Sequence, residues 1–257
     1  MLNDVGTINL IMEAYMYSYK NEPAIQDADS VFNDTFTGVM RHVYLWMCLG
    51  LFITGFVAIS MVITPLAYVL MYILQNPILF FGLFIAEIGL VWWLSARIGK
   101  LSIGVSRFMF IVYAILNGVT LSVIFLAYTG SSIALTFITT ASLFGAMAII
   151  GYTTQMDLSK WGSFLLMALL GFIIGSVVNM FLASSGLEWF LTYAGILLFI
   201  GLTVYDSQKI KRMVAYAMQA PDGTLVRQVG LLGALNLYLD FVNLFLLLLR
   251  VMGGRRR

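Results

Sequence analysis

Two carboxylates lie in or against the last two long apolar runs of the chain. Asp206 stands in Tyr205-Asp206-Ser207-Gln208-Lys209 and Asp240 in Leu237-Tyr238-Leu239-Asp240-Phe241-Val242-Asn243, with no basic residue at mid-membrane depth to neutralise them. An ionised carboxylate near the centre of a bilayer costs about 2.5–3.5 kcal/mol on insertion scales. Residues kept there at such a cost serve an ion path, a proton switch or a partner site. If the two approach within hydrogen-bond distance they share one proton and titrate as a unit. That is a latch: the proton ties their two helices together, and its loss frees Asp206 to swing towards a cation. The spacing predicts Arg97 as that cation, because it ends the second apolar run on the same side of the membrane.

The last run carries further polar groups. Gly233, Asn236, Asp240 and Asn243 follow an i, i+3, i+7, i+10 spacing, which at 100° per residue confines them to an arc of about 80°. Lipid cannot satisfy such a stripe, so it faces protein or water. Interhelical hydrogen bonding and a water-lined, titrating path are both open readings. Glu87 sits near the middle of the second run, ten residues before Arg97. Ten residues span about 15 Å of helix, too far for a direct contact within one helix. Glu87 is either a protonated structural group or a pathway carboxylate. Asp157 and Ser159 precede the fifth run, where they read as helix caps. Gly171, Gly175, Asn179 and Ala183 recur every fourth residue of that run and predict a close-packing seam. Asn117, Gly118, Thr120 and Ser122 of the third run read the same way.

The elements that must position these groups are membrane helices. The chain has 257 residues, 61% hydrophobic and 10% charged, against about 25% charged in soluble domains. Apolar windows long enough to cross a bilayer fall near 43–63, 78–96, 107–129, 131–152, 162–184, 187–208 and 229–250. An all-α protein with seven transmembrane helices follows, organised as a weakly structured cytoplasmic tail over 1–41, a membrane domain over 42–252 and a basic tail over 253–257. With the N-terminus cytoplasmic, Lys and Arg at 20, 41, 97, 100, 107, 160, 209, 211, 212 and 227 all lie inside, while the opposite loops near 64–77, 130 and 185–188 hold none. This is the positive-inside pattern. The arginines at 250 and 255–257 break it, unless the last run enters and returns. The N-terminal tail has six acidic and two basic residues, unlike a basic signal or transit peptide. Cys48 is the only cysteine, so there is no disulfide framework, and nothing in the charge pattern points to nucleic acid.

Three stretches carry a resemblance. They are Gly151-Tyr152-Thr153-Thr154-Gln155-Met156-Asp157-Leu158-Ser159, then Gly201-Leu202-Thr203-Val204-Tyr205-Asp206-Ser207-Gln208-Lys209-Ile210-Lys211, then Leu235-Asn236-Leu237-Tyr238-Leu239-Asp240-Phe241-Val242-Asn243-Leu244-Phe245. In this order and spacing the chain resembles the transmembrane Bax inhibitor motif family, bacterial members included, over roughly residues 41–252. The resemblance implies seven helices with the last surrounded by the other six. It implies a pH-sensitive calcium leak with Asp206 and Asp240 as proton sensor, Glu87 as a candidate pathway carboxylate and Arg97 as the alternative partner of Asp206. From the polar stripe, Asn236 and Asn243 join Glu87 and Arg97 as candidate path or gating residues, and the two aspartates are candidate transient calcium ligands. Its partners would be the bilayer, calcium ions and protons, and its location a bacterial inner membrane; a eukaryotic chain of this kind would belong in the endoplasmic reticulum or Golgi. Family members are also described as regulators of cell death or of membrane proteases. A non-transporting regulator that binds such a membrane protein is therefore the alternative function.

Other chemistries fit less well. Intramembrane aspartyl proteolysis also needs an Asp on each of two helices, but the second motif of that class is Gly-x-Gly-Asp and here it reads Leu237-Tyr238-Leu239-Asp240. Its Pro-Ala-Leu element is missing, since prolines occur only at 23, 65, 77 and 221. His42 is the only histidine and lies at the edge of the first run, poorly placed for a serine nucleophile. Nor does the chain show the broken helices or half-repeats of secondary transporters. The sequence therefore predicts no enzyme and no cofactor, with calcium as the permeant species.

Overall fold

The computed structural model describes residues 13, 23–154, 156–219 and 223–254. Seven helices among them are long and apolar enough to cross a membrane. The first span belongs to α1 (Pro23–Ile63), followed by a short α2 (Ala67–Gln75) and by α3 (Pro77–Arg97). Next come α4 (Ile103–Leu121) and its continuation α5 (Val123–Ala127), which bends at the buried Ser122. The remaining spans are α6 (Gly130–Thr153), α7 (Trp161–Leu182), α8 (Ser185–Ala217) and α9 (Thr224–Met252).

Local chemistry sets the ends. Pro77 opens α3, where its missing N–H is no loss. Ser102, Thr129 and Ser184 cap α4, α6 and α8 by accepting from Val105, Ser132 and Leu187. Asp157 accepts from the Ser159 N–H at 2.9 Å and so caps the 3-10 turn Leu158–Lys160 that leads into α7. Those hydrogen bonds from Ser159 hold the Asp157 carboxyl below its ordinary pKa, with Arg212 assisting at 3.7 Å.

The last helix is by far the most enclosed. In its membrane window 67% of residues are buried, against 6–39% for the other six. It packs chiefly against α8, α1, α6 and α4, whereas α3 packs on α4 and α7 on α8. The expected ring of six is thus four close neighbours with two helices in an outer position. The helix is also continuous, and its C-terminal end meets the turn before α6: Gly254 N–H donates to Ser132 Oγ at 2.9 Å and its carbonyl accepts from Thr129 at 3.2 Å. A segment that enters and returns is excluded. Arg250 therefore lies at the far end from the other basic residues, where Glu188 neutralises it at 3.6 Å; residues 255–257 fall outside the described ones.

Two further expectations need correction. The first helix begins well before the apolar window, and Phe36, Val39 and Met40 of the expected tail are buried. Their spacing gives the cytoplasmic extension of α1 one apolar face. Phe36 stacks on Tyr152 at 5.3 Å and lies under the Lys211 ammonium at 6.0 Å. A hydropathy window cannot see such a face because the opposite one is polar. The fifth-span seam is also not where backbones meet. A Cβ on Gly171 would meet nothing within 4 Å, and Ala183 is the left-handed cap of α7, at φ 47°. The close approaches are at Gly118, whose Cβ would come within 2.8 Å of the Thr54 carbonyl, and at Gly151, against the Val204 carbonyl.

Because backbone cannot give way as a side-chain tip can, Gly118→Val and Gly151→Val should each cost about 1–3 kcal/mol, the usual range for overpacking. Thermal unfolding in detergent should show both, while Gly171→Ala leaves the midpoint unchanged.

Candidate functional site

At 100° per residue, Tyr238 and Asp240 point in nearly opposite directions from α9 at nearly the same depth. The central helix therefore carries two polar faces, and they differ in how well they are satisfied.

On the first face the polar atoms are paired. Tyr238 is fully buried, its hydroxyl 2.8 Å from Asn117 Nδ2 on α4 and 2.7 Å from Thr54 Oγ1 on α1. Thr54 donates its own proton to the Ala114 carbonyl at 2.9 Å. It follows that Tyr238 donates to Thr54 and accepts from Asn117. One turn along α4, Thr120 donates to Glu87 Oε1 of α3 at 2.8 Å. Phe110 and Tyr113 pack edge-on against the Tyr238 ring. This network clamps α1, α3, α4 and α9 together.

On the second face Asn236, Asp240 and Asn243 line a cavity of about 480 Å³ between α7, α8 and α9, together with Tyr205, Asp206 and Lys209. Both carboxylates are buried, and Asp240 Oδ2 has no hydrogen-bond partner among the described residues. Asp206 faces the Lys209 ammonium at 3.9 Å, one turn along its own helix. Gly233 is not on this wall: a Cβ there would come within 2.9 Å of Ile210. Among the described residues no group of three or more His, Cys, Asp or Glu is gathered. The polar lining of the cavity is two carboxylates, two carboxamides, a phenol and one ammonium. Carboxylate and carboxamide oxygens are the donors a hard cation such as calcium accepts, and here the Lys209 ammonium stands among them.

The same seam holds a second polar cavity. Ser176, Asn179, Glu188, Thr192 and Arg250 line about 220 Å³ near the other end of α7, α8 and α9. Between the two lies an apolar band of Phe199, Leu244 and Leu247, with Phe172 set edge-on to Phe199 at 6.0 Å. Gly195 makes room for it, since a Cβ there would come within 2.7 Å of Phe172 and 2.9 Å of Leu247.

The structure thus brings Asp206, Asp240, Asn236 and Asn243 together, and places Glu87 and Arg97 elsewhere. Glu87 belongs to the opposite, satisfied face. Arg97 is exposed at the end of α3, a helix that packs on α4 rather than α8, so Lys209 is the cation beside Asp206. Sequence reasoning overlooked Tyr238, although it stands in the Asp240 motif, because a phenol in an apolar run reads as a core aromatic. It also overlooked Gln208, which pins the turn before α7 by donating to the Met156 carbonyl at 2.6 Å and accepting from Leu158 at 2.9 Å.

Comparison with known proteins agrees with this architecture. Residues 37–257 match the family described as "Inhibitor of apoptosis-promoting Bax1". The chain is 48% identical over 217 residues to the inner membrane protein YbhL of Escherichia coli strain K12, which covers 84% of this chain and 92% of that protein. It is 39% identical over 243 residues to the uncharacterized protein RP147 of Rickettsia prowazekii, covering 94% of this chain and 100% of the other. An uncharacterized protein of Borreliella burgdorferi is 44% identical over 184 residues, covering 72% of this chain and 78% of its own length. None of these names describes an enzyme.

If the Tyr238 hydroxyl clamps the first face, Tyr238→Phe leaves the buried Asn117 donor unpaired at a cost of about 1–3 kcal/mol. The expected result is a lower unfolding midpoint, with any activity of the second face keeping its pH dependence.

Proposed function

The chain belongs to the Bax inhibitor family of multi-pass membrane proteins, with its place in a bacterial inner membrane, and from that premise we propose that it is a calcium-permeable leak whose opening is set by protonation of Asp206 and Asp240. The observation that carries this reading is the burial of both carboxylates in one cavity, with an oxygen of Asp240 unpartnered. A group left so in a bilayer is costly unless another state uses it.

The path runs along the seam of α7, α8 and α9, from the dyad cavity through the apolar band to the cavity at Glu188 and Arg250. Phe172, Phe199 and Leu247 close it in the manner of a hydrophobic gate, which blocks ions by excluding water. With a shared proton the carboxyls hold α8 to α9. When it leaves, two like charges repel across the cavity and Asp206 turns fully to Lys209. That separation loosens α8 against α9, the helix pair that supports the band. Calcium, for which the cavity supplies carboxylate and carboxamide oxygens, then passes.

The test is calcium influx into proteoliposomes over about pH 5.5–8.5, a range in which coupled carboxylates titrate. Wild-type flux should rise as pH increases, because deprotonation opens the latch. Asp206→Asn and Asp240→Asn should flatten that dependence, and Asp157→Asn, which alters an exposed cap and its ion pair with Arg212 outside the dyad cavity, should keep it. Identical profiles for wild type and Asp240→Asn would reject the sensor assignment. Absence of flux at every pH, with folding verified, would favour a regulator that acts by binding another membrane protein. Separately, Phe199→Ala and Leu247→Ala should raise influx several-fold across the pH range, roughly the consequence of wetting an apolar constriction.

A further inference from the structure

The cytoplasmic ends of α1, α4 and α9 enclose a cavity of about 220 Å³ in which basic groups gather without an acid among the described residues. Thr35, His42 and Trp46 come from α1, Ile103 and Arg107 from α4, and Val226, Arg227 and Gly230 from α9. Among the described residues no carboxylate lines it. The other cytoplasmic-side cations that are close to an acid are Lys209, 3.9 Å from Asp206, and Arg212, 3.7 Å from Asp157. Arg107 and Arg227 have no such ion pair among the described residues. Arg107 lies over the Trp46 ring at 5.4 Å, and its Nε is buried with no hydrogen-bond acceptor among the described residues. A buried guanidinium N–H without an acceptor is costly.

The backbone adds to the same field. Ile103 is the first residue of α4, and Val226 and Arg227 lie in the first turn of α9. The first turns of two helices therefore border this cavity, and the partial positive charge of each N-terminus adds to its field. The α9 end is preceded by Gly223, which has no side chain to cap it. Helix N-termini combined with arginines form the usual chemistry for phosphate. Apolar walls from Val39, Trp46 and Leu231 suit a phosphate that carries an apolar substituent.

We propose that this cavity is a binding site for a phosphate monoester, held by Arg107, Arg227 and Thr35 between the N-termini of α4 and α9. The bound anion would bridge α1, α4 and the start of the central helix, away from the dyad cavity. Because the site shares no residue with the seam of α7, α8 and α9, it stands whether or not the protein conducts calcium.

The experiment measures ligand-induced thermal stabilisation of the purified full chain in neutral detergent, since a ligand that binds only the folded state raises the unfolding midpoint with concentration. The probes are inorganic phosphate, glycerol 3-phosphate, dihexanoyl phosphatidic acid and, as the choline diester, dihexanoyl phosphatidylcholine. Stabilisation by a monoester but not by phosphatidylcholine is expected, with Arg107→Gln and Arg227→Gln each weakening it by about tenfold or more, the loss of one charge-assisted contact. Lys160→Gln, outside the cavity, should bind as wild type does. Binding of glycerol 3-phosphate as tightly as phosphatidic acid supports the site with a soluble ester as its ligand. Binding of phosphatidic acid alone supports it with a lipid headgroup as its ligand. No stabilisation by any phosphate, or equal stabilisation of wild type and both arginine variants, overturns it.

Discussion

A bilayer offers no water to a buried polar group, and the fold follows from that constraint. The helix that carries Asn236, Tyr238, Asp240 and Asn243 cannot face lipid on either polar side, so it must be enclosed. It therefore becomes the most buried element, with α1, α4, α6 and α8 against it. The helices with little polar content, α3 and α7, can remain outside. Even Glu87, the one carboxylate of α3, turns inward to Thr120.

Enclosure solves the problem in two ways. Around Tyr238 each hydroxyl and amide meets a partner on another helix, and the result is rigidity. Around Asp240 an oxygen remains unpaired beside a second carboxylate. Fully satisfied networks specify one structure, whereas partly satisfied ones leave energy available for another. Under the proposed leak, the same helix is anchored on one side and responsive on the other.

Charge at the two ends obeys the same logic. The cytoplasmic side carries most of the basic residues and uses them unequally. Lys209 and Arg212 face acids, Lys211 covers Phe36, and Arg107 with Arg227 borders a cavity that no acid of the described residues lines. At the opposite end Arg250 is neutralised by Glu188, so one cation is held against the prevailing bias by a local partner. The apolar band at Phe172, Phe199 and Leu247 separates these two electrostatic environments along the seam of α7, α8 and α9.

The number of spans, the orientation of the charged loops and the face shared by Asn236, Asp240 and Asn243 were legible in the sequence, because hydropathy, charge bias and helical periodicity are local properties. The pairing of that face with Asp206 was legible in part, since both carboxylates had to avoid lipid. What local pattern could not decide is which helix lies against which. Arg97 looked available to Asp206 only because both sit at the same membrane depth; packing sends α3 to α4 and leaves Lys209 as the neighbour. Glu87 shared the chemistry of the dyad but not its side of the central helix. Gly171 had the spacing of a seam and no backbone approaches it; the backbones meet at Gly118, which the third-run spacing also marked, and at Gly151. The sequence by itself determined which groups must be hidden from lipid. Only the tertiary structure decided which were hidden together, because depth and periodicity define a residue's height and direction on its own helix but not the identity of the helix that it faces.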